Sequence, residues 1–194
     1  MLNIVLYGAP GAGKGTQSGK IIDKYGLVHA STGDMLRNEI AEGSLLGKKA
    51  KKYIDKGQLV PDDEVIEALE HFIQKYCNSR GFVFDGFPRT LTQAEALDEM
   101  LAERNTSITL MISIEVEEDE LLNRLQLRGE REDRSDDDKK IIENRLNLYY
   151  NTKKTIQSYY DKRGKFRSVN GLGTVDEIFD RICTIIEEAY KIRA

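Results

Sequence analysis

Residues 8–16 read Gly-Ala-Pro-Gly-Ala-Gly-Lys-Gly-Thr, and they follow the apolar run Leu2–Tyr7 directly. A strand, a glycine-rich turn and then a helix form the context that a phosphate-binding loop requires. The glycines let consecutive backbone N–H groups turn inward around a phosphate. The helix N-terminus adds partial positive charge, and Lys14 adds a full one. The alternative, a glycine-rich turn that carries a surface lysine, is disfavoured by the strand in front of it.

The hydroxyl of this loop is displaced by one position from the usual pattern. A phosphate-binding loop ordinarily places Ser or Thr directly after the lysine, where the hydroxyl holds Mg²⁺. Here Gly15 takes that position and Thr16 follows it. One step along a helix turns a side chain by about 100°, so we expect that Thr16 does not hold the metal in the ordinary way. The displacement is characteristic of a narrower group of phosphate-loop proteins.

The composition is typical of an ordinary soluble protein. The chain has 194 residues, of which 32% are charged and 40% hydrophobic, and its formal net charge is −4. This length suffices for one well-buried core, so we predict a single domain, residues 1–194, with insertions. The charge gives no general attraction to nucleic acids or acidic membranes, and we expect neither as a partner. No apolar run approaches the ~18 residues that a membrane span needs.

The two cysteines, Cys77 and Cys183, lie far apart and have no neighbours at metal-ligand spacing. We expect both to be reduced, buried thiols of a cytoplasmic protein. A structural zinc is not expected, because a tetrahedral site needs four ligands. The N-terminal residues carry no basic segment and enter a strand at once, so no secretory signal is predicted.

Strand-like runs alternate with helical patterns along the chain, which predicts an α/β fold. The runs are residues 2–7, 27–30, 82–84, 108–114 and 166–169. The expected architecture is a phosphate-loop three-layer αβα sandwich with a central parallel five-stranded sheet and two mobile insertions. Residues 1–30, 61–128 and 136–194 form the predicted core. The insertions are residues 31–60, with two helices and no strand, and residues 129–135, which are too charged to be core.

Asp85 ends the apolar strand-like segment that begins at Phe82 and is followed by Gly86. In doubly wound sheets, ligands bind at the carboxyl ends of the strands, where the loop after the first strand also lies. Asp85 is therefore placed to reach Mg²⁺, directly or through water. The alternative is that Asp-Gly forms a simple turn. The neighbouring phosphate loop favours the metal-binding role.

A second polar segment, Ser31-Thr32-Gly33-Asp34, precedes a helix that contains Arg37. Ser31 is predicted to cap this helix, with Asp34 three residues further on. Capping by Ser31 leaves Thr32 and Arg37 available for a ligand. The guanidinium of Arg37 suits a bidentate phosphate contact.

Further arginines are expected to cluster near the phosphate site. Arg89 follows Asp85 on the same strand-end loop, and Arg145 lies on the helix after the charged loop. Arg128 lies on the helix that leads into that loop, and Arg134 lies inside the loop. The alternative for Arg145 is stacking on Tyr149. The clustering favours a phosphate role for all four arginines.

For four charged residues, a role outside the phosphate site has equal or better support. Arg124, four residues before Arg128, can instead pair with Glu120 one helical turn earlier. Arg131 is interpreted as a solvated charge. Asp136 and Asp137 begin the next helix, where carboxylates favour the positive end of the dipole. They could equally pin loop arginines in a closed state, as lid-closing residues, and the sequence does not decide between these two roles.

Four motifs, in this order, are similar to those of the adenylate kinase family. They are Gly-x-Pro-Gly-x-Gly-Lys-Gly-Thr from Gly8, Ser-Thr-Gly-Asp from Ser31, Gly-Gln-Leu-Val-Pro from Gly57 and Asp-Gly-Phe-Pro-Arg from Asp85. The resemblance covers nearly the whole chain, and residues 129–135 resemble the short form of the family's lid, which is not the zinc-binding form. It implies a monomeric enzyme that reversibly transfers a phosphoryl group from Mg·ATP to AMP and gives two ADP.

The resemblance also implies roles for single residues. The expected ATP-binding residues are Gly11, Ala12, Gly13, Lys14, Gly15, Thr16, Arg124, Arg128 and Gly173. The expected AMP-binding residues are Thr32, Arg37, Gln58, Leu59, Val60, Gly86, Phe87, Pro88, Arg89, Gln93, Arg134 and Arg145. The expected catalytic charges are those of Lys14, Arg89, Arg128, Arg134 and Arg145.

Two alternatives to this function remain at this point. UMP/CMP kinases usually have Ala where this chain has Thr32 and Asn where it has Gln93, so both positions match the adenine-binding form. The amide of Gln93 offers the donor and acceptor pair that fits an adenine edge. The other alternative is a catalytically silent nucleotide-binding protein on the same fold, since a fold does not fix a function.

Overall fold

The computed structural model describes residues 1–129 and 138–191. The predicted lid residue Arg134 and the carboxylates of Asp136 and Asp137 lie outside the described residues. The elements within them are, in chain order, β1 (Leu2–Tyr7), α1 (Lys14–Tyr25), β2 (Val28–Ser31), α2 (Thr32–Glu42), α3 (Leu45–Ile54), α4 (Asp62–Lys75), β3 (Gly81–Asp85), α5 (Leu91–Ala102), β4 (Leu110–Glu115), α6 (Glu118–Gly129), α7 (Lys139–Asp161), β5 (Phe166–Asn170) and α8 (Val175–Lys191).

The five strands form one sheet in the order β2-β3-β1-β4-β5, and every adjacent pair is parallel. β1 occupies the centre, where Val5 is in register with Phe84 of β3 and Met111 of β4. The predicted α/β fold with a parallel five-stranded sheet is confirmed. Because the strands are parallel, their carboxyl ends meet at one edge, which is where ligands bind in this architecture.

The sheet separates two hydrophobic clusters, as a three-layer fold requires. Successive side chains of a strand point to opposite faces. Val5 and Tyr7 of β1 accordingly pack with residues of α2, α3, α4 and α5, whereas Ile4 and Leu6 pack with residues of α1, α6 and α8. Helix α7 contributes to both clusters, Leu146 to the second and Tyr160 to the first. Cys183 is buried as expected, but the expected burial of Cys77 is wrong, because this residue follows the end of α4 and is exposed.

The boundary of β2 differs by one residue from the sequence prediction. Leu27 was expected in the strand, but its N–H donates to the carbonyl of Ile22, 3.3 Å away, as part of the cap of α1. Gly26 begins this cap in the left-handed conformation, φ 65°. An apolar residue directly after such a cap packs back onto its helix. This packing explains why an apolar residue occupies position 27 although it lies outside the strand.

The two helices predicted between residues 31 and 60 are α2 and α3, and they pack closely. A Cβ at Gly47 would lie 2.0 Å from the carbonyl oxygen of Glu39, so only glycine fits at this crossing. The segment after α3 then reaches α7, because the Asn144 amide donates to the Lys56 carbonyl at 3.1 Å. No helix in the described part of the chain is long and apolar enough to cross a lipid bilayer.

Candidate nucleotide-binding site

The conformation of the loop between β1 and α1 depends on two glycines, and the side chain of Lys14 folds back over the loop. Gly11 and Gly13 have φ values of 84° and 92°, in the left-handed region that favours glycine. The ammonium of Lys14 folds back and donates to the carbonyls of Gly8 at 2.9 Å and Ala9 at 3.0 Å. Gly13 precedes α1 without a side-chain cap. The first N–H groups of α1 therefore donate to no side-chain acceptor at that position.

Helix α6 supports the loop from behind. A Cβ at Gly11 would lie 2.9 Å from the side chain of Leu125 and 3.1 Å from the carbonyl oxygen of Leu121. Both leucines are fully buried. Gly11 is thus required for close packing as well as for its backbone conformation, and the loop has little room to move toward α6.

Lys14 lies at the meeting point of several charges. Burial is the largest influence, and it lowers the pKa of the Lys14 ammonium from its ordinary value of 10.5 to about 8. The carboxylate of Asp85 acts in the opposite direction, while Arg89, Arg145 and Arg128 lower the pKa further. Three arginines from three other parts of the chain therefore act on Lys14 here. Such an arrangement is costly without an anion and favourable with one.

This charge arrangement predicts a pH dependence of stability in the ligand-free chain. Between about pH 8 and its ordinary pKa, the unfolded chain binds more protons at Lys14 than the folded chain does. The contribution of this residue to the free energy of unfolding therefore rises with pH across that window. Lys14→Met removes the titrating group. The free energy of unfolding of wild type minus that of the variant should therefore increase by at most ~3 kcal/mol between about pH 7.5 and pH 10. Urea unfolding measures it, and an unchanged difference would contradict the expectation.

Asp85 ends β3 directly beside the phosphate loop. Its side chain is 13% exposed, and its Oδ2 lies 3.7 Å from Nε2 of His29. The same oxygen would be 4.0 Å from a Cβ at Gly15. Among residues 1–129 and 138–191, no three side chains of His, Cys, Asp or Glu gather at metal-binding distance. Asp85 is therefore a single carboxylate facing the start of α1.

One cavity brings together the predicted AMP-binding residues. Apart from Arg134, which is not among the described residues, all of them line it: Thr32, Arg37, Gln58, Leu59, Val60, Gly86, Phe87, Pro88, Arg89, Gln93 and Arg145. Lys14, Gly8 and Pro10 of the phosphate loop line the same cavity. A single cavity therefore extends to the phosphate loop. Its walls are the segment between α3 and α4, the loop after β3, and helix α7.

The side chains at the start of α2 already hold internal partners. Ser31 caps the helix as predicted, with its hydroxyl accepting from the N–H of Asp34 at 3.2 Å. The Thr32 hydroxyl donates to the carbonyl of Gly86 at 3.0 Å, which ties α2 to the loop after β3. Arg37 pairs with Asp34. This exposed pair is weak, so the guanidinium of Arg37 can turn toward an anion in the cavity at little cost.

The amide of Gln93 is more engaged than the sequence suggested. Its Oε1 accepts from the backbone N–H of Arg89 at 2.7 Å, and its Nε2 donates to Oδ1 of Asp62 at 2.7 Å. Oδ2 of Asp62 accepts from the Thr90 hydroxyl, also at 2.7 Å. Sequence reasoning did not single out Asp62, which lies in the first turn of α4.

The predicted ATP-side residues outside the loop lie on α6 and after β5. The alternative proposed for Arg124 is observed, since its Nε donates to Glu120 at 2.6 Å. Its Nη2 also donates to the carbonyl of Gly171 at 3.0 Å, so it links α6 to the loop that contains Gly173. Gly173 has φ 117°, and Thr174 and Glu177 form a capping box at the start of α8. Within the loop, Gly15 and Thr16 are exposed.

Sequence reasoning also missed two aromatic residues of the cavity, Tyr7 at the end of β1 and Tyr149 on α7. Their ring centroids are 5.4 Å apart. Burial raises the pKa of Tyr7 to about 12, so the phenol stays protonated and can act as a donor. As the last residue of the apolar run Leu2–Tyr7, Tyr7 has the sequence pattern of a core residue, and only its position at the carboxyl end of β1 could have indicated a place in the cavity.

The fold and the site together define a phosphate-loop α/β protein with a second ligand space beside the loop. Comparison with known proteins gives the family. The family model described as Adenylate kinase matches residues 6–165. A protein named Adenylate kinase from Bacteroides thetaiotaomicron is 50% identical over 97% of this chain and 100% of its own length. The adenylate kinase of Flavobacterium psychrophilum is 47% identical, over 96% and 98%. The chain belongs to the adenylate kinase family.

Proposed function

We propose that the chain catalyses ATP + AMP ⇌ 2 ADP with Mg²⁺. The observation that carries this proposal is the shared cavity. The residues expected to hold AMP and the lysine expected to hold the phosphates of ATP line one space. A phosphoryl group can pass between two nucleotides only if both are held with the reacting atoms in contact and in line. The ATP side comprises the loop from Gly11 to Thr16, with Arg124, Arg128 and the backbone at Gly173 further along.

The chemistry follows from charge. Phosphoryl transfer needs positioning and electrostatic stabilisation more than it needs a covalent nucleophile. Lys14, Arg89, Arg128 and Arg145 supply positive charge around the transferred group, and we assign Arg134 to the same set from the sequence. The acceptor is already an anionic phosphate, so no strong general base is required. Binding of two polyanions also relieves the mutual repulsion among these cations.

Asp85 fits the metal that this reaction uses. Its carboxylate is a hard oxygen ligand next to Gly15, and Mg²⁺ in such sites usually keeps water molecules and binds substrate phosphates through one or two carboxylates. We assign Asp85 to Mg²⁺ through water. The metal, when bound, neutralises charge that develops on the phosphate oxygens. We expect no zinc, because Cys77 and Cys183 are far apart in sequence.

We further propose that residues 31–60 are the monophosphate-binding insertion and that residues 129–135 are a short lid, on a core of residues 1–30, 61–128 and 136–194. Closure of both over the nucleotides would exclude water, whose attack on ATP is the competing reaction. The hydrogen bond from Asn144 to the Lys56 carbonyl, 3.1 Å, supports an approach of the insertion to α7. Asp136 and Asp137 follow the lid, and we retain them as candidate lid-closing residues.

The substrates ATP, AMP and ADP are then the expected partners. We propose a cytoplasmic monomer that binds neither nucleic acid nor membrane. The formal net charge of −4 supports this part of the proposal, since nucleic acids and acidic membranes are themselves negative.

The preference among nucleoside monophosphates as phosphoryl acceptors is the first property to measure. We expect kcat/KM for AMP to exceed that for CMP or UMP by up to about 10⁴-fold, because a site built to hydrogen-bond one base edge leaves buried polar groups unpaired with another. A coupled assay of ADP formation from ATP, with each monophosphate in turn and with and without EDTA, gives the answer.

Each alternative has its own outcome in this assay. A preference for CMP or UMP would establish the pyrimidine kinase. Absence of turnover with all three acceptors, in protein that binds ATP, would establish a silent nucleotide-binding protein. Turnover that survives exhaustive EDTA treatment would refute the metal requirement.

A further inference from the structure

Gln93 lies in the wall of the cavity with its amide fixed at both ends. The residue as a whole is 2% exposed, so water cannot replace a lost partner. Its Oε1 faces the backbone N–H of Arg89, which can only donate, and its Nε2 faces the carboxylate of Asp62, which accepts. Turning the amide by 180° would oppose two donors at one end and two acceptors at the other. These neighbours therefore allow only one orientation of the amide.

Asp62 is itself held in place. The Thr90 hydroxyl donates to its second oxygen at 2.7 Å, and the same hydroxyl accepts from the N–H of Gln93 at 3.2 Å as the cap of α5. Asp62 is also the first residue of α4, where a carboxylate favours the positive end of the helix dipole. The hydrogen bond between Asp62 and Thr90 joins the segment after the 31–60 insertion to the start of α5. Asp62 is therefore a fixed acceptor for Gln93.

The fixed amide retains one N–H and one lone pair. A 6-aminopurine presents a donor at position 6 and an acceptor at the adjacent ring nitrogen, which matches this pair. A 6-oxopurine presents an acceptor at position 6 and a donor at N1, which is the reverse. Because Asp62 and the Arg89 N–H prevent the amide from reversing, such a base would leave polar groups unpaired in a buried site, and that is a strong basis for rejection.

We infer that Asp62 is a specificity-determining positioning residue that acts through Gln93, so that the acceptor site takes 6-aminopurine monophosphates and rejects 6-oxopurine monophosphates. This inference rests on the proposed function. It goes beyond that function because it assigns the fixed orientation of the Gln93 amide to Asp62, a residue that need not touch the nucleotide.

The test compares AMP with IMP as acceptors, since the two differ at position 6 and in the protonation of N1. Wild type should favour AMP by about 100-fold or more in kcat/KM. Asp62→Asn keeps the shape but can present a donor as well as an acceptor, so it weakens the constraint on the Gln93 amide. The AMP/IMP ratio should fall by about 10-fold. The neighbouring exposed Asp63→Asn makes the same charge change and should leave the ratio unchanged.

A purely structural role gives a different result. Asp62→Asn would then lower kcat/KM for AMP and IMP by the same factor, and an unchanged ratio overturns the inference. Asp62→Ala provides a second variant if the first is poorly folded by circular dichroism, and it should lower the ratio as well. In a Gln93→Leu background, Asp62→Asn should have no further effect on the ratio; a further change would show that Asp62 does not act through Gln93.

Failure of the inference can be told apart from failure of the proposed function. If wild type forms ADP from ATP and AMP but uses IMP equally well, the inference is wrong and the function stands. If wild type forms no ADP from AMP, the function itself is wrong, and the selectivity inferred from it falls with it.

Discussion

Lys14→Met should lower kcat for ADP formation by at least about 10²–10³-fold, the loss typical of one preorganised donor to a developing charge. The Lys14 ammonium is fixed by the carbonyls of Gly8 and Ala9 before any nucleotide binds. Little reorganisation is therefore needed when charge develops on the phosphate oxygens. Steady-state kinetics with saturating AMP and ATP give the value, and fluorescence titration with ATP separates binding from turnover.

Lys20→Met is the matched control on the same helix. Lys20 pairs with Asp176 at a site where the carboxylate side chain is 81% exposed, and such pairs contribute under ~1 kcal/mol to stability. We expect its kcat to be close to that of wild type. If Lys14→Met retained near-normal turnover, the loop would be a binding element without a catalytic lysine.

The sheet could be predicted because its strands are short, apolar and separated by helical patterns. Hydrophobic runs of this kind fix the number of strands and, with the intervening helices, their parallel direction. The strand ends could not be predicted to the residue. Leu27 belongs to the cap of α1 and not to β2. Thr109 was expected within β4 but precedes it, and its N–H donates to the Asn3 carbonyl at 2.8 Å. Periodicity cannot distinguish an apolar cap from the first residue of a strand.

The glycine-rich loop and the residues at strand ends could be placed in one site because parallel topology gathers the carboxyl ends of the strands. Sequence could not show which side chains are already paired. Gln93 was expected to offer a free amide, but its two ends hold the Arg89 N–H and Asp62. The link between Asp62 and Gln93 spans 31 positions and joins two helices. No local pattern indicates a contact of that kind.

The arginines illustrate a second limit. Arg124 matched both an ion pair with Glu120 and a place on the ATP side, and its guanidinium contacts Glu120 and the Gly171 carbonyl together. The ion pair therefore does not exclude a position near the nucleotide. A pattern of charges four residues apart identifies one partner on the helix, whereas the second partner depends on how the helix packs.

Arg145→Ala should lower kcat by about 10³-fold or more, while KM for AMP rises much less. Arg145 lies on α7, opposite the loop that carries Arg89, and it lines the same cavity and acts electrostatically on Lys14. An arginine that neutralises charge on a transferring phosphoryl group is worth about 10³–10⁵ in kcat. A residue that binds AMP equally well in the ground state and the transition state would change KM instead.

The separation between kcat and KM therefore decides the role of Arg145. Lys154→Ala, at an exposed position on the same helix, removes one positive charge outside the cavity and should leave both constants near wild type. Melting temperatures of the two variants control for effects on folding. If Arg145→Ala raised KM for AMP and left kcat unchanged, Arg145 would hold the acceptor without stabilising the transition state. The catalytic charge would then fall to Lys14, Arg89 and Arg128, with Arg134 assigned from sequence.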